Sequence, residues 1–113
     1  MHEMSLALEI RSICERELAR QGAGGRLAVV GIDVGAFAGV DTQSLQFCLD
    51  TILGETFGPV RTEIRRLPGT AVCVACGSEF PVSRAPFECP ACGGAACGAG
   101  GGDELRVNYL ELE

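Results

Sequence analysis

The chain has 113 residues, 47 % of them hydrophobic, and a formal charge of −6. That length fits one small domain, or one domain carrying a metal-stapled lobe, and an acidic surface argues against nucleic acid, whose phosphates require clustered Lys and Arg. With five Phe, one Tyr and no Trp, the core must be built mainly from Leu, Val, Ile and Ala.

Ser5 is a suitable N-cap for a first helix over residues 5–21. Leu6, Ile10, Ile13, Cys14 and Leu18 recur at helical spacing, Arg11, Glu15, Arg16 and Arg20 cover the other side, and Gly22, Gly24 and Gly25 end it. Leu27–Val34 is rich in Val and Ile and reads as a buried strand, with a loop over Gly35–Gly39. Asp41 then caps a second helix over residues 42–54. Its apolar stripe is Leu45, Cys48, Leu49 and Ile52, and Gly54 with Gly58-Pro59 closes it. Thr62–Leu67 and Glu104–Leu112 read as strands.

Between those two strands, residues 68–102 concentrate five of the seven cysteines, four of the five prolines and a glycine run. The predicted class is α+β: two helices on one face of a roughly three-stranded sheet, with an inserted zinc-ribbon lobe built on two C-x-x-C knuckles. The division is residues 1–68 with 103–113 as one domain and 69–102 as the zinc lobe, joined by two crossings.

The start, MHEMSLALEI, lacks a basic n-region and places Glu3 and Glu9 among its apolar residues, unlike a secretory signal. No run approaches the ~18 apolar residues of a membrane span. The expected setting is therefore a reducing cytosol, where paired C-x-x-C spacing means metal rather than disulfide.

Cys73-Val-Ala-Cys76-Gly and Cys89-Pro-Ala-Cys92-Gly are matched knuckles. Gly77 and Gly93 let the backbone fold back so that amides point at the thiolates, and the segment between the knuckles has room for a hairpin across Glu79–Arg84. Soft sulfur ligands in a tetrahedron favour zinc over iron, and four thiolates leave no open position for catalysis. Cys14 and Cys48 belong to apolar helix faces, as small core residues. Cys97 sits in the glycine-rich stretch Gly93–Gly102, either as an incidental exposed thiol or as a transient soft ligand.

His2 is the only histidine. At position two it is chemically distinctive: the Met1 amine, the His2 amide and imidazole Nδ1 close adjacent chelate rings on one metal, with the Glu3 amide as an alternative nitrogen. Such a planar nitrogen set suits Ni(II) or Cu(II).

Met1-His2-Glu3 at one end and Cys73-x2-Cys76 with Cys89-x2-Cys92 near the other together resemble the hydrogenase nickel-incorporation accessory proteins, the HypA/HybF family. The segment Gly35-Ala-Phe-Ala-Gly-Val-Asp-Thr-Gln-Ser-Leu-Gln-Phe47 entering the second helix, the Cys89-Pro-Ala-Cys92-Gly93 knuckle and the last strand after Gly102-Asp-Glu-Leu105 are also similar to that family. The resemblance covers essentially the whole chain. It implies a cytoplasmic metallochaperone, not an enzyme, with structural Zn(II) and transferable Ni(II). His2 is then the indispensable nickel ligand, with Met1 and Glu3 acting through backbone nitrogens.

The implied partners are a GTPase of the same maturation pathway and the large subunit of a nickel-iron hydrogenase, with urease maturation served by some relatives; neither nucleic acid nor membrane is among them. The resemblance also sets Asp41 at an acidic family position near nickel, although helix capping alone accounts for an aspartate there. A further histidine that some relatives offer from the zinc lobe has no counterpart here, and Cys97 or a carboxylate is what the chain has in its place. The competing reading is a zinc-ribbon interaction module without nickel transfer.

Overall fold

The computed structural model describes residues 2–22 and 25–113. The part expected of Gly24 in ending the first helix, and the coordinating role expected of Met1, lie outside the described residues. The elements in chain order are α1 (Glu3–Gln21), β1 (Leu27–Gly35), α2 (Thr42–Phe57), β2 (Arg61–Leu67), β3 (Gly69–Cys73), β4 (Glu79–Val82), β5 (Ala96–Gly101) and β6 (Leu105–Leu112). They form two three-stranded sheets, ordered β2-β1-β6 and β4-β3-β5. The α+β class is as expected, but the cysteine-bearing segment holds a sheet of its own rather than a single hairpin.

Chain contacts divide the protein into two compact units. Unit 1 holds the chain up to Asp33, Val40–Arg65 and Arg106–Glu113; unit 2 holds Val34–Gly39 and Arg66–Leu105.

In unit 1, α1 is capped three residues earlier than Ser5, the expected N-cap. His2 occupies the N-cap position with extended φ/ψ and no side-chain cap, and its carbonyl accepts the Leu6 N–H at 3.2 Å. Ser5 lies inside the helix because Glu3 favours the first turn, where a carboxylate meets the positive end of the helix dipole. Gly22 ends α1 at φ 86°, a left-handed value that suits glycine. The second helix is capped as expected: Asp41 Oδ1 accepts the amides of Gln43 at 3.0 Å and Ser44 at 3.2 Å. It runs a turn beyond Gly54, because Gly58 at φ 79° supplies the C-cap and returns its N–H to the Gly54 carbonyl.

Ala7, Ile10 and Cys14 from α1 and Leu45, Leu49 and Leu53 from α2 are buried with Leu27, Val29, Val30 and Ile32 of β1. Each fully buried Leu or Ile contributes about 2 kcal/mol of hydrophobic stabilisation. Cys14 is wholly inside, and burial pushes its thiol up to about 11. Arg26 and Glu113 exchange backbone bonds at 3.0 and 2.9 Å, so β6 runs antiparallel to β1.

Two features of β1 hold the sheet. Asp33 is 1 % exposed on an otherwise apolar strand. Its carboxylate takes Nε and Nη2 of Arg65 from β2 and Nε of Arg106 from β6, each at 3.1 Å. Gly31 is the other: a Cβ there would run into the ring of Tyr109. The ring fills the space a side chain would take, and its hydroxyl donates to Glu63.

In unit 2, β3 pairs antiparallel with both neighbours, Val72 opposite Glu79 on one side and Cys97 on the other. Cys97 is thus a strand residue rather than part of an irregular glycine stretch, and it is exposed. The segment after β1 belongs here: the Phe37 amide donates to Gly102 O at 2.6 Å, and the Phe37 ring meets Phe87 edge-on with centroids 5.8 Å apart. A Cβ on Gly102 would come within 2.7 Å of Phe37 Cδ2 and 2.9 Å of Gly69 N, so the bare backbone is what admits the ring.

Candidate metal centre

The two knuckles start from the end of β3 and from the turn after Glu88. Each is closed by a glycine at φ 76°, Gly77 donating to Cys73 O at 3.0 Å and Gly93 to Cys89 O at 2.8 Å. Left-handed backbone at these points turns the chain back over its own first cysteine. The Cys76 amide then lies 3.4 Å from Cys73 Sγ, and the Ala91 amide 3.4 Å from Cys89 Sγ, as the sequence reading anticipated.

The four sulfurs lie within 4.8 Å of one another. Across the knuckles, Cys73 and Cys92 Sγ are 3.5 Å apart and Cys76 and Cys89 Sγ 3.7 Å apart. A tetrahedron of metal–sulfur bonds of about 2.3 Å has edges of about 3.8 Å, so the donor set fits a four-coordinate metal. Cys73 and Cys89 are 2 % exposed, whereas Cys76 and Cys92 face solvent.

Their ionisation follows the hydrogen bonds each sulfur receives rather than its exposure. The Cys76 amide holds the Cys73 thiol below its ordinary value. Cys76 is lowered to about 6, first by the Ser78 hydroxyl 3.2 Å from its sulfur and then by the Ser78 amide. The Gly94 amide pulls Cys92 down, but bonds shared with Cys73, Cys76 and Cys89 outweigh it and leave that thiol at about 12. Amide and hydroxyl donors around Cys73 and Cys76 favour their thiolate forms, the forms that bind a metal. Ser78 was not picked out from the sequence, since a serine after a glycine carries no signal of its own.

The N-terminal residues are arranged differently. Exposed His2 precedes α1, and Glu3 Oε2 accepts the Asp41 amide at 3.2 Å. The structure therefore brings Glu3 and Asp41 together. Among the described residues no second group of three metal-ligating side chains converges, so His2, Glu3 and Asp41 do not form a closed side-chain cage. The Asp33–Arg65–Arg106 cluster is also absent from the sequence reading, although an aspartate amid Val29–Val34 was a visible signal.

Fold and site define a small α+β protein carrying a four-thiolate, zinc-ribbon-like metal site. A family model described as hydrogenase/urease nickel incorporation, metallochaperone, hypA matches residues 1–112, and the chain belongs to that family. It is 37 % identical over 114 residues to the hydrogenase maturation factor HypA of Albidiferax ferrireducens, with both chains fully covered. It is 39 % identical over 114 residues to the HypA of Cereibacter sphaeroides, again with full coverage. The solution structure of the Ni metallochaperone HypA from Helicobacter pylori superposes with a TM-score of 0.65 at 20 % identity, covering 99 % of this chain and 97 % of that one.

Proposed function

We propose that this chain binds Ni(II) at its N-terminus and passes it on during maturation of a nickel-iron hydrogenase, with Zn(II) held permanently by Cys73, Cys76, Cys89 and Cys92. Membership of a nickel-incorporation family is the observation that carries this reading. Residues 1–68 and 103–113 form the nickel-handling part, and 69–102 the zinc lobe.

The start of α1 supports the N-terminal part of the proposal. The first amides of a helix have no partner within it. Glu3 opens α1, and the Leu6 amide, one turn on, donates to His2 O. The helix thus makes no demand on the Glu3 amide, which supports its binding metal beside the His2 imidazole and the Met1 amine. The hydrogen bond between Asp41 and Glu3 supports a part for Asp41 in this site, adding an oxygen or steadying it. An open, exposed ligand set suits cargo that must leave by ligand exchange. The imidazole must be neutral to bind, so acidification weakens nickel binding.

Zinc fits the other site because four thiolates fill its coordination sphere and tie its binding to folding of the lobe. With both metals so engaged, the protein acts by transfer and not as an enzyme, in the cytoplasm. Its partners are a maturation GTPase and the hydrogenase large subunit, with a urease accessory protein as a further recipient. No helix among the described residues is long and apolar enough to cross a membrane.

Calorimetric nickel titration of the zinc-loaded protein beside its His2→Ala variant tests the proposal. One nickel site, lost in the variant while zinc stays bound, is the expected result. Equal binding by both, or by neither, favours a zinc-ribbon interaction module.

A further inference from the structure

The bonds around Asp33 use only part of what its two arginines offer. A guanidinium carries five N–H donors in a rigid fork. Arg65 gives Asp33 its Nε and Nη2, and Arg106 gives Nε alone. Among the described residues, neither terminal nitrogen of Arg106 nor Nη1 of Arg65 meets a protein acceptor. Asp33 is 1 % exposed, whereas the side chains of Arg65 and Arg106 are 62 % and 57 % exposed. Unit 1 therefore shows solvent two guanidiniums and hides the carboxylate that aligns them.

One buried carboxylate neutralises one of the two arginines. The cluster keeps a positive charge, on a chain whose formal charge is −6. The adjacent carboxylate of Glu63 is already taken, by Arg61 at 3.4 Å and by the Tyr109 hydroxyl. Glu111 lies near Tyr109 and bonds neither arginine.

Beside the cluster is a cleft of about 260 Å³, bounded by Asp33, Arg65, Asn108 and Tyr109. The Tyr109 ring, seated over Gly31, is 39 % exposed. Arginine and tyrosine are the side chains that most often anchor protein interfaces. A guanidinium edge matches a carboxylate with two parallel bonds. Because Asp33 already orders both arginines, little of their freedom remains to be lost on binding.

We infer that Arg65, Arg106 and Tyr109 form a docking site for an acidic segment of a partner protein, with an Asp or Glu carboxylate of that segment on the free edge of Arg106. Nucleic acid is the poorer match, because the acidic chain as a whole repels a long polyanion. A short acidic segment meets chiefly the charges within about 8 Å, the screening length of physiological salt. The site uses neither the cysteines nor His2, and is independent of the metal reading.

The test is fluorescence anisotropy of a labelled short peptide of alternating aspartate and glutamate, titrated with zinc-loaded, nickel-free, full-length protein at neutral pH. It is run beside the same peptide built from asparagine and glutamine, and beside a thymidine oligonucleotide of equal charge. The acidic peptide should bind with a dissociation constant of about 10–100 µM, and both comparators about tenfold more weakly or worse. Raising salt from about 50 mM to about 300 mM should weaken the acidic peptide's binding. Arg106→Lys keeps a cation for Asp33 but lacks the fork, and should weaken binding about fivefold or more. The Nε–H resonances of Arg65 and Arg106 in the parent protein should shift as the peptide saturates, a readout that needs no variant. No binding up to about 1 mM, equal binding of either comparator, an Arg106→Lys variant that binds like the parent, or resonance shifts confined to other residues overturns the inference.

Discussion

Glu3 Oε2 accepts the backbone N–H of Asp41 at 3.2 Å, so one carboxylate ties the start of α1 to the start of α2. In a capping box, a Glu or Gln three residues into a helix reaches back to the amide of the capping residue. That place in α2 is taken by Ser44, whose side chain is too short, and Glu3 performs the task from the neighbouring helix.

Removing either member should be felt modestly in stability. Asp41→Ala loses the cap and is expected to cost about 1 kcal/mol. Glu3→Ala frees one exposed amide and should cost about 0.5–1 kcal/mol. Urea unfolding followed by circular dichroism measures both. Because Glu3 accepts the backbone N–H of residue 41, which Asp41→Ala retains, the two losses should add, and a Glu3→Ala variant as stable as the parent would mean that the hydrogen bond contributes nothing. On the nickel reading, Glu3→Ala weakens binding less than His2→Ala does.

Asp33 gives unit 1 an acid-sensitive element. Hydrogen bonds from Arg65, and then from Arg106, hold its carboxyl below the ordinary carboxylate range despite burial. Because the folded-state value is the lower one, protonation favours the unfolded chain. The contribution is complete above about pH 4, and is lost as pH falls through the folded-state value. Asp33→Asn should flatten that acid limb of the stability profile. An unchanged limb would assign acid sensitivity to other groups. At pH 7, replacing both Arg65 and Arg106 by Ala should cost about 3 kcal/mol or more, since it leaves a buried charge uncompensated.

Gly31→Ala is expected to destabilise the protein by about 1–3 kcal/mol, because the new methyl group meets the Tyr109 ring and the core must shift around it. Combining it with Tyr109→Ala should restore part of that loss. Thermal unfolding of the single and double variants decides the point: equal penalties in both backgrounds would place the strain elsewhere.

Stripping metal from the four-cysteine site should disorder unit 2 while the helices of unit 1 persist, seen as selective loss of dispersed amide signals for residues 66–105 with helical circular dichroism retained. Alkylation of the stripped protein should then reach Cys73, Cys76, Cys89, Cys92 and Cys97 alike, and only later Cys14, which stays buried in unit 1. Continued protection of Cys73 and Cys89 would mean that unit 2 keeps its fold without metal.

The parts legible in the sequence are those with a period or a fixed spacing. The α2 stripe of Leu45 and Leu49, the Asp41 cap, the apolar run of β1 and the two knuckles each follow from local chemistry. Helix boundaries were less legible: Ser5 and Gly54 carry strong signals for a start and a stop, but Glu3 and Gly58 satisfy the helix ends better. The sheet of unit 2 was missed because β5 is Ala96–Gly101, a strand without β-branched or aromatic residues, which forms only because β3 pairs with it. The contact of Glu3 with Asp41 spans 38 positions, a separation over which no local pattern operates.

Unit 2 is assembled from two stretches of chain, Val34–Gly39 and Arg66–Leu105. A fragment limited to the second stretch would keep all four metal-binding cysteines yet lose Phe37, leaving Gly69 and Gly102 a bare platform and Phe87 without its aromatic partner. The lobe is therefore not a cassette that can be cut out and grafted onto another protein, and deletions that look harmless in the first third of the chain remove part of its fold.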